Sequence, residues 1–248
     1  MSSPTASNQE IKELYERSIA EKYQNDYEFR RWFLTDRLRL DYFMTRTAIA
    51  HHLQGVMFSS CLEFGPGSGI FTATAYRRNP SARFDLIDIS EAMKKQFVLE
   101  MRPIPNVSYM IGDIMEHDFG DSTYDLFYSV RAVEYVDDQE GFFKKVHGLL
   151  NAGGHGVIVT KNPHYGSAER GESTRSQHRG KLGVNQTEQL LAEVGFKNIQ
   201  IYPVIIRLPI IERLTLRFTE KYFQRAYQKP FNKNMSRFVE SYIVIFEK

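Results

Sequence analysis

Residues 61–69 read CLEFGPGSG: a short apolar run, a carboxylate, then glycines at alternate positions, Gly65, Gly67 and Gly69. Glycine tolerates positive φ and lets another backbone or a ligand come close, so the spacing predicts a strand that turns sharply into a helix beside a bound molecule. A phosphate at that helix N-terminus would meet a like charge in Glu63, two residues before the first glycine. The stretch therefore favours a cationic ligand. A dinucleotide turn would instead be spaced Gly-x-Gly-x-x-Gly.

Outward from this turn, short apolar runs alternate with helical segments, which predicts an α/β fold with a mostly parallel sheet wrapped by crossover helices. Strands are expected near Ser60–Phe64, Phe84–Asp88, Val107–Ile111, Leu126–Val130, Val157–Thr160, Ile199–Pro203 and Tyr242–Phe246. Before them, Ile11, Leu14, Tyr15, Ile19 and Tyr23, then Trp32, Phe33, Leu38, Leu40 and Phe43, fall at helical spacing. The expected organisation is a helical lid over 1–55, a core over 56–203, a helical cap over 204–238 and a last core strand over 239–248. The polar, glycine- and serine-rich run from Asn162 to Gly183 is expected as a loop serving a site. Gly153 and Gly154 are expected to make the turn into the fifth strand.

At 248 residues the chain has room for a proper core. A formal charge of +2 calls for neither a nucleic acid nor a strongly acidic partner. The single cysteine, Cys61, forms no disulfide within the chain and reads as buried packing in a reducing compartment. Residues 1–9 lack a basic start and an apolar run, and no later run suits a membrane span, so a cytoplasmic protein is expected. No His, Cys and Asp cluster has metal-ligand spacing, so no metal is expected.

In open parallel sheets ligands bind beyond the carboxyl ends of the strands. The first strand delivers Glu63, Gly65, Pro66 and Gly67 there, and the second, RFDLIDIS, delivers Asp88, a carboxylate placed to accept both hydroxyls of a ribose. The third, VSYMIGDIMEHD, delivers Asp113 for the exocyclic amine of a purine, with Ile89 and Ile114 against the faces of the base. The fourth ends at Ser129, Val130 and Arg131. Acids around a nucleoside, with no phosphate partner, predict S-adenosylmethionine, whose sulfonium and ammonium are both positive, with Glu63 facing the methionyl end. Ser90 reads as the cap of the helix beginning near Glu91, which leaves Asp88 for the ligand. Asp125 faces the wrong end of the sheet.

These segments resemble a class I S-adenosylmethionine-dependent methyltransferase of the small-molecule, ubiquinone-biosynthesis-like (type 11/12) group. LEFGPGSGIFT resembles the family's nucleotide turn, LIDISEAM its ribose-binding acid, GDIMEHDF its adenine-contacting acid and YDLFYSVRAVEYVDD its fourth strand. LLNAGGHGVIVT and TEQLLAEVGFKNIQIY resemble the turn before its fifth strand and its penultimate helix with the sixth strand. The resemblance implies a Rossmann-like sheet of seven strands, the last inserted antiparallel, with helices on both faces. YERSIAEKY resembles the family's opening helix, which implies that Tyr23 closes over the methionyl part; ordinary helix packing is the alternative.

Methyl transfer needs a base only if the acceptor must lose a proton. Where relatives carry Glu-His-Val, this chain has Glu134, Tyr135 and Val136, a departure that removes a histidine base. Glu134, Tyr135 and His164 are the catalytic candidates, with His178 behind them. Arg131 is read equally as facing an acidic group or as structurally paired. His51 and His52 read as partners of a helix C-terminus. Arg207, Arg213, Arg217, Lys221 and Arg225 read as the solvated basic face of a lid, ahead of peripheral membrane contact. The expected activity is methyl transfer to an oxygen or nitrogen of a small organic acceptor such as a natural product, sugar or quinone. RNA or protein methylation, a nicotinamide-dependent oxidoreductase, and a non-catalytic nucleoside-binding protein of the same fold are the rivals.

Overall fold

The computed structural model describes residues 13, 16–17, 27–101, 104–165, 180–207 and 225–248. The readings made for Tyr23, His178, Arg213, Arg217 and Lys221 lie outside these residues. Seven strands form one sheet: β1 (Ser60–Phe64), β2 (Arg83–Asp88), β3 (Val107–Ile111), β4 (Tyr124–Val130), β5 (Leu150–Lys161), β6 (Lys197–Ile206) and β7 (Val239–Glu247). Their spatial order is β3-β2-β1-β4-β5-β7-β6, parallel from β3 to β5, with β7 antiparallel to both β5 and β6. The inserted antiparallel strand implied by the resemblance is present.

The central strands are apolar on both faces because helices cover both. Along β1, Cys61 joins one core with Leu126, Val157 and Val159, whereas Leu62 joins the other with Phe127, Phe142 and Ile158. The buried thiol of Cys61 is pushed well above its ordinary pKa by burial, so it is inert packing, as expected. Helix α1 (Asp36–His52) is capped by Thr35, whose hydroxyl accepts from Leu38 N–H at 3.2 Å. It buries Met44, Thr45, Ala48 and Ile49, and Ala48 and Ile49 belong to the same core as Cys61, so this part of the expected lid is packed on the sheet. Helices α2 (Thr72–Arg78) and α3 (Glu91–Glu100) follow β1 and β2, and Ser90 caps α3 by accepting from Met93 N–H at 3.2 Å, as expected. Helices α4 (Gln139–Leu149) and α5 (Val184–Val194) cover the other face with Phe142, Phe143 and Leu191.

Several details differ from the sequence reading. Gly153 and Gly154 lie within β5, which starts at Leu150; the extra residues are accommodated by a register shift opposite Tyr124 and Leu126 and by bonds of Gly153 and Gly154 to Lys248. β6 continues through Val204 and Ile205 to Ile206, residues expected to open the cap. Arg207 is not on a solvated face: it is half-buried and ion-paired to Asp41 of α1 at 2.5 Å and to Glu240 of β7. His52 is no cationic helix partner, because burial holds it down at about 4; its Nε2 lies 3.0 Å from the Tyr227 carbonyl and its ring against Tyr202. Asp125 works at the amino end of the sheet, as expected. Despite its partial burial it is held at about 2 by donors on Ser59, Asn151 and Ser60. Among the described residues no helix is long and apolar enough to cross a membrane.

Candidate functional site

The strand order reverses between β1 and β4, so the loops leaving their carboxyl ends part and leave a crevice. A cavity partly open to solvent occupies that place. Its wall includes Gly65, Pro66 and Gly67 after β1, Asp88 and Ile89 after β2, Asp113 and Ile114 after β3, and Val130, Arg131, Glu134 and Tyr135 after β4. Residues read from four separate strands thus share one wall.

The glycine turn is shaped by what surrounds it. Gly65 has φ +67, and a Cβ there would lie 2.2 Å from the Cβ of Ala132, so any side chain would push the first and fourth loops apart. Gly67, at φ +56, turns its N–H onto Asp88 Oδ2 at 3.1 Å. Ser90 N–H donates to Asp88 Oδ1 at 2.9 Å. Asp88 is therefore fixed by two backbone donors in a buried position, and burial still raises its carboxyl to about 6. Asp113 is oriented by Met115 N–H, which donates to its Oδ1 at 2.9 Å.

Glu63 takes a different position from the one expected. It is buried, stands outside the cavity wall, leaves Oε2 without a hydrogen-bond partner, and is raised by burial to about 8. Ser129 is also absent from the wall; its hydroxyl donates to the Phe64 carbonyl at 2.9 Å and ties β4 to β1.

The three catalytic candidates separate. Glu134 is in the wall, but Oε1 accepts from Arg131 Nε and Oε2 from the Thr160 hydroxyl, both at 3.0 Å, so its carboxylate is engaged on both oxygens. Arg131, in a backbone with φ +63, is thus paired to Glu134 while also lining the cavity. Tyr135 is in the wall, its hydroxyl held in the neutral form by burial and by Glu134. His164 is not in the wall: its N–H donates to Asn162 Oδ1 and its ring lies beside Gly183.

The remaining wall comes from residues the sequence reading did not select. Tyr27, Glu28, Arg31 and Trp32 approach from the amino-terminal side, Ser68 and Phe71 extend the turn, and Lys161 ends β5. Arg31 lies over the Trp32 ring at 4.4 Å. Trp32 read only as part of a helical stripe, and Glu28 sits in no motif. The arrangement suits a nucleoside with a cationic arm: an acid for hydroxyls, an acid for an amine, isoleucines for a base, and raised carboxyls near the turn that a cation would stabilise. Among the described residues no group of three His, Cys, Asp or Glu could hold a metal.

Residues 62–158 match the family model described as a methyltransferase domain. A malonyl-[acyl-carrier protein] O-methyltransferase from Ilyobacter polytropus is 33% identical over 93 residues, covering 38% of this chain and 34% of that protein. One from Chlorobium luteolum is 26% identical over 148 residues, 59% of this chain and 53% of that protein. The chain thus spans about a third to a half of the length of these curated relatives. Among solved structures, an S-adenosylmethionine-dependent methyltransferase from Thermotoga maritima superposes with a TM-score of 0.65 at 15% identity, covering 95% of this chain and 99% of that one. Haemonchus contortus phosphoethanolamine N-methyltransferase 2, in complex with S-adenosyl-L-methionine, gives 0.63 at 15% identity over 94% of this chain and 60% of that one. These two likenesses establish the fold.

Proposed function

We propose that this chain, whose residues 62–158 form a class I methyltransferase domain, transfers the methyl of S-adenosylmethionine to an oxygen or nitrogen of a small organic acceptor. The observation that carries the reading is the clamped carboxylate of Asp88 in the crevice between β1 and β4, facing the same cavity as Asp113 and the glycine turn. Bound there, the cofactor supplies an electrophilic methyl on a sulfonium. Asp88 accepts the ribose hydroxyls, Asp113 takes the amine of the base, Ile89 and Ile114 flank its faces, and Gly65, Pro66 and Gly67 let the backbone lie against the amino-acid arm. Val130 and Arg131 close the floor.

The acceptor would enter between the amino-terminal wall of Tyr27, Arg31 and Trp32 and the loop of Tyr135, with Lys161 beside it. Because Glu134 is committed to Arg131 and Thr160, its role in this reading is to hold Arg131 in place. With His164 outside the wall and Tyr135 held neutral, the chain's residues position the acceptor and exclude water, and the acceptor atom is one that carries a free lone pair near neutral pH without a base, a carboxylate oxygen or a weakly basic nitrogen. The carrier-bound malonyl group named for the relatives falls within the carboxylate class. The amino-terminal wall of Tyr27, Arg31 and Trp32 acts as the lid in this proposal.

The test is calorimetric titration with S-adenosylmethionine and with NAD, followed by mass spectrometry of a panel of carboxylate and amine acceptors. Binding of the first cofactor alone, with methylated product, supports the reading; binding of NAD alone defeats it, and binding with no product across the panel favours a nucleoside-binding protein of the same fold.

A further inference from the structure

Glu28 is the carboxyl in the cavity wall whose hydrogen bonding is left incomplete. One oxygen accepts from the hydroxyl of Ser68, the residue following Gly67 in the glycine turn, and the other, Oε2, is buried with no hydrogen-bond partner among the described residues. An oxygen of this kind costs free energy unless a donor reaches it. The unmatched acceptor sits beside the turn against which the cofactor's amino-acid arm would lie.

We infer that Glu28, oriented by Ser68, binds the ammonium group of the cofactor's methionyl arm. This rests on the cofactor reading above. The ammonium, and not the sulfonium, fits the vacancy, because Oε2 lacks a hydrogen-bond donor and a sulfonium has none to give. An ammonium supplies both donor and charge, a charge-assisted bond of the stronger class. Glu63, expected from sequence for this end of the ligand, lies outside the wall, whereas Glu28 is in it and bonded to the turn through Ser68. The charged groups that face Glu28 are Glu100 at the end of α3, which raises it together with burial, and Arg31 of its own segment, which lowers it. Arg31 lies over Trp32, and the carboxyl stays near 8, a state that an arriving cation reverses by drawing off the proton.

The experiment titrates wild type, Glu28→Gln and Ser68→Ala with S-adenosylhomocysteine and with methylthioadenosine, which keeps the nucleoside but lacks the amino-acid arm. Glu28→Gln should weaken the first ligand about tenfold to a hundredfold and leave the second within about twofold. Ser68→Ala should weaken the first ligand by less. Unchanged affinity for methylthioadenosine shows at once that the variants are folded. Near neutral pH the wild type should release more protons on binding S-adenosylhomocysteine than Glu28→Gln does, read from heats in buffers of different ionisation enthalpy. Equal loss of both ligands in Glu28→Gln, or loss of neither, overturns the inference while leaving the cofactor reading intact. Failure of the wild type to bind either ligand overturns both.

Discussion

Arg131 and Glu134 form a 3.0 Å ion pair in which the acid is 1% exposed and the guanidinium 12%. Glu134 also accepts from Thr160, so it fastens the loop after β4 to β5. Removing one member of a buried pair leaves an uncompensated charge, so Glu134→Ala should destabilise the fold by about 3–5 kcal/mol. Glu134→Gln, which keeps the shape, should cost less and lower kcat by less than about tenfold, whereas loss of a true general base would cost about a hundredfold or more. Urea denaturation and steady-state rates measure the two; a collapse of kcat in a stable Glu134→Gln would return Glu134 to the role of base.

Asp88 is bonded to Gly67 N–H and Ser90 N–H and still sits near 6 because it is buried. Hydroxyl donors prefer the ionised carboxyl, so its contribution to cofactor affinity should be full above neutrality and fall by up to about tenfold per pH unit as pH drops through 6. Asp88→Asn should be weaker by about 1.5–3 kcal/mol near neutral pH, and its disadvantage should shrink as the solution is acidified. Titrations of S-adenosylhomocysteine across that range decide it. A constant ratio between the two proteins would mean that Asp88 does not hold the ligand in its ionised form.

The central strands were legible because β1 and β4 are apolar runs buried on both faces, and the ends at Asp88 and Val130 follow from the turn chemistry beyond them. Asp88 and Asp113 could be placed for the same reason: a residue at the carboxyl end of a parallel strand has one place to point. Glu28 and Trp32 could not, since they reach the cavity by the docking of an amino-terminal segment that no local pattern encodes. His164 looked well placed from its position after β5, yet the bond of its N–H to Asn162 and the closeness of Gly183 hold it away. Arg207 looked solvated because its two acids, Asp41 and Glu240, lie far from it in sequence and come together only across the sheet.

That cluster joins α1 to β7 beside the end of β6, and it is asymmetric: two carboxylates share one guanidinium. Arg207→Met should therefore destabilise by about 3 kcal/mol, because buried Asp41 and half-buried Glu240 lose the guanidinium they share. Arg207→Met combined with Asp41→Leu and Glu240→Leu removes the charges together and should recover most of that loss. Urea midpoints of the single and triple variants test this, and a single variant as stable as wild type would show that the cluster relaxes into water.

Glu63 gives a stability signature distinct from ligand binding. Burial lifts it from 4.5 to about 8. Between those values the folded chain keeps a proton that the unfolded chain releases. The sign follows: the contribution of the neutral carboxyl is full below 4.5 and is lost as pH rises toward 8, at up to about 1.4 kcal/mol per pH unit. Glu63→Gln cannot ionise, so the wild type should lose stability relative to this variant across that window, and Glu63→Gln should be the more stable protein above it. Paired thermal melts at pH values spanning the window measure the difference and cancel the other titrating groups, including His52. A difference that does not change with pH would mean that Glu63 is already ionised in the fold, and a buried cation or bound water would then have to lie at Oε2.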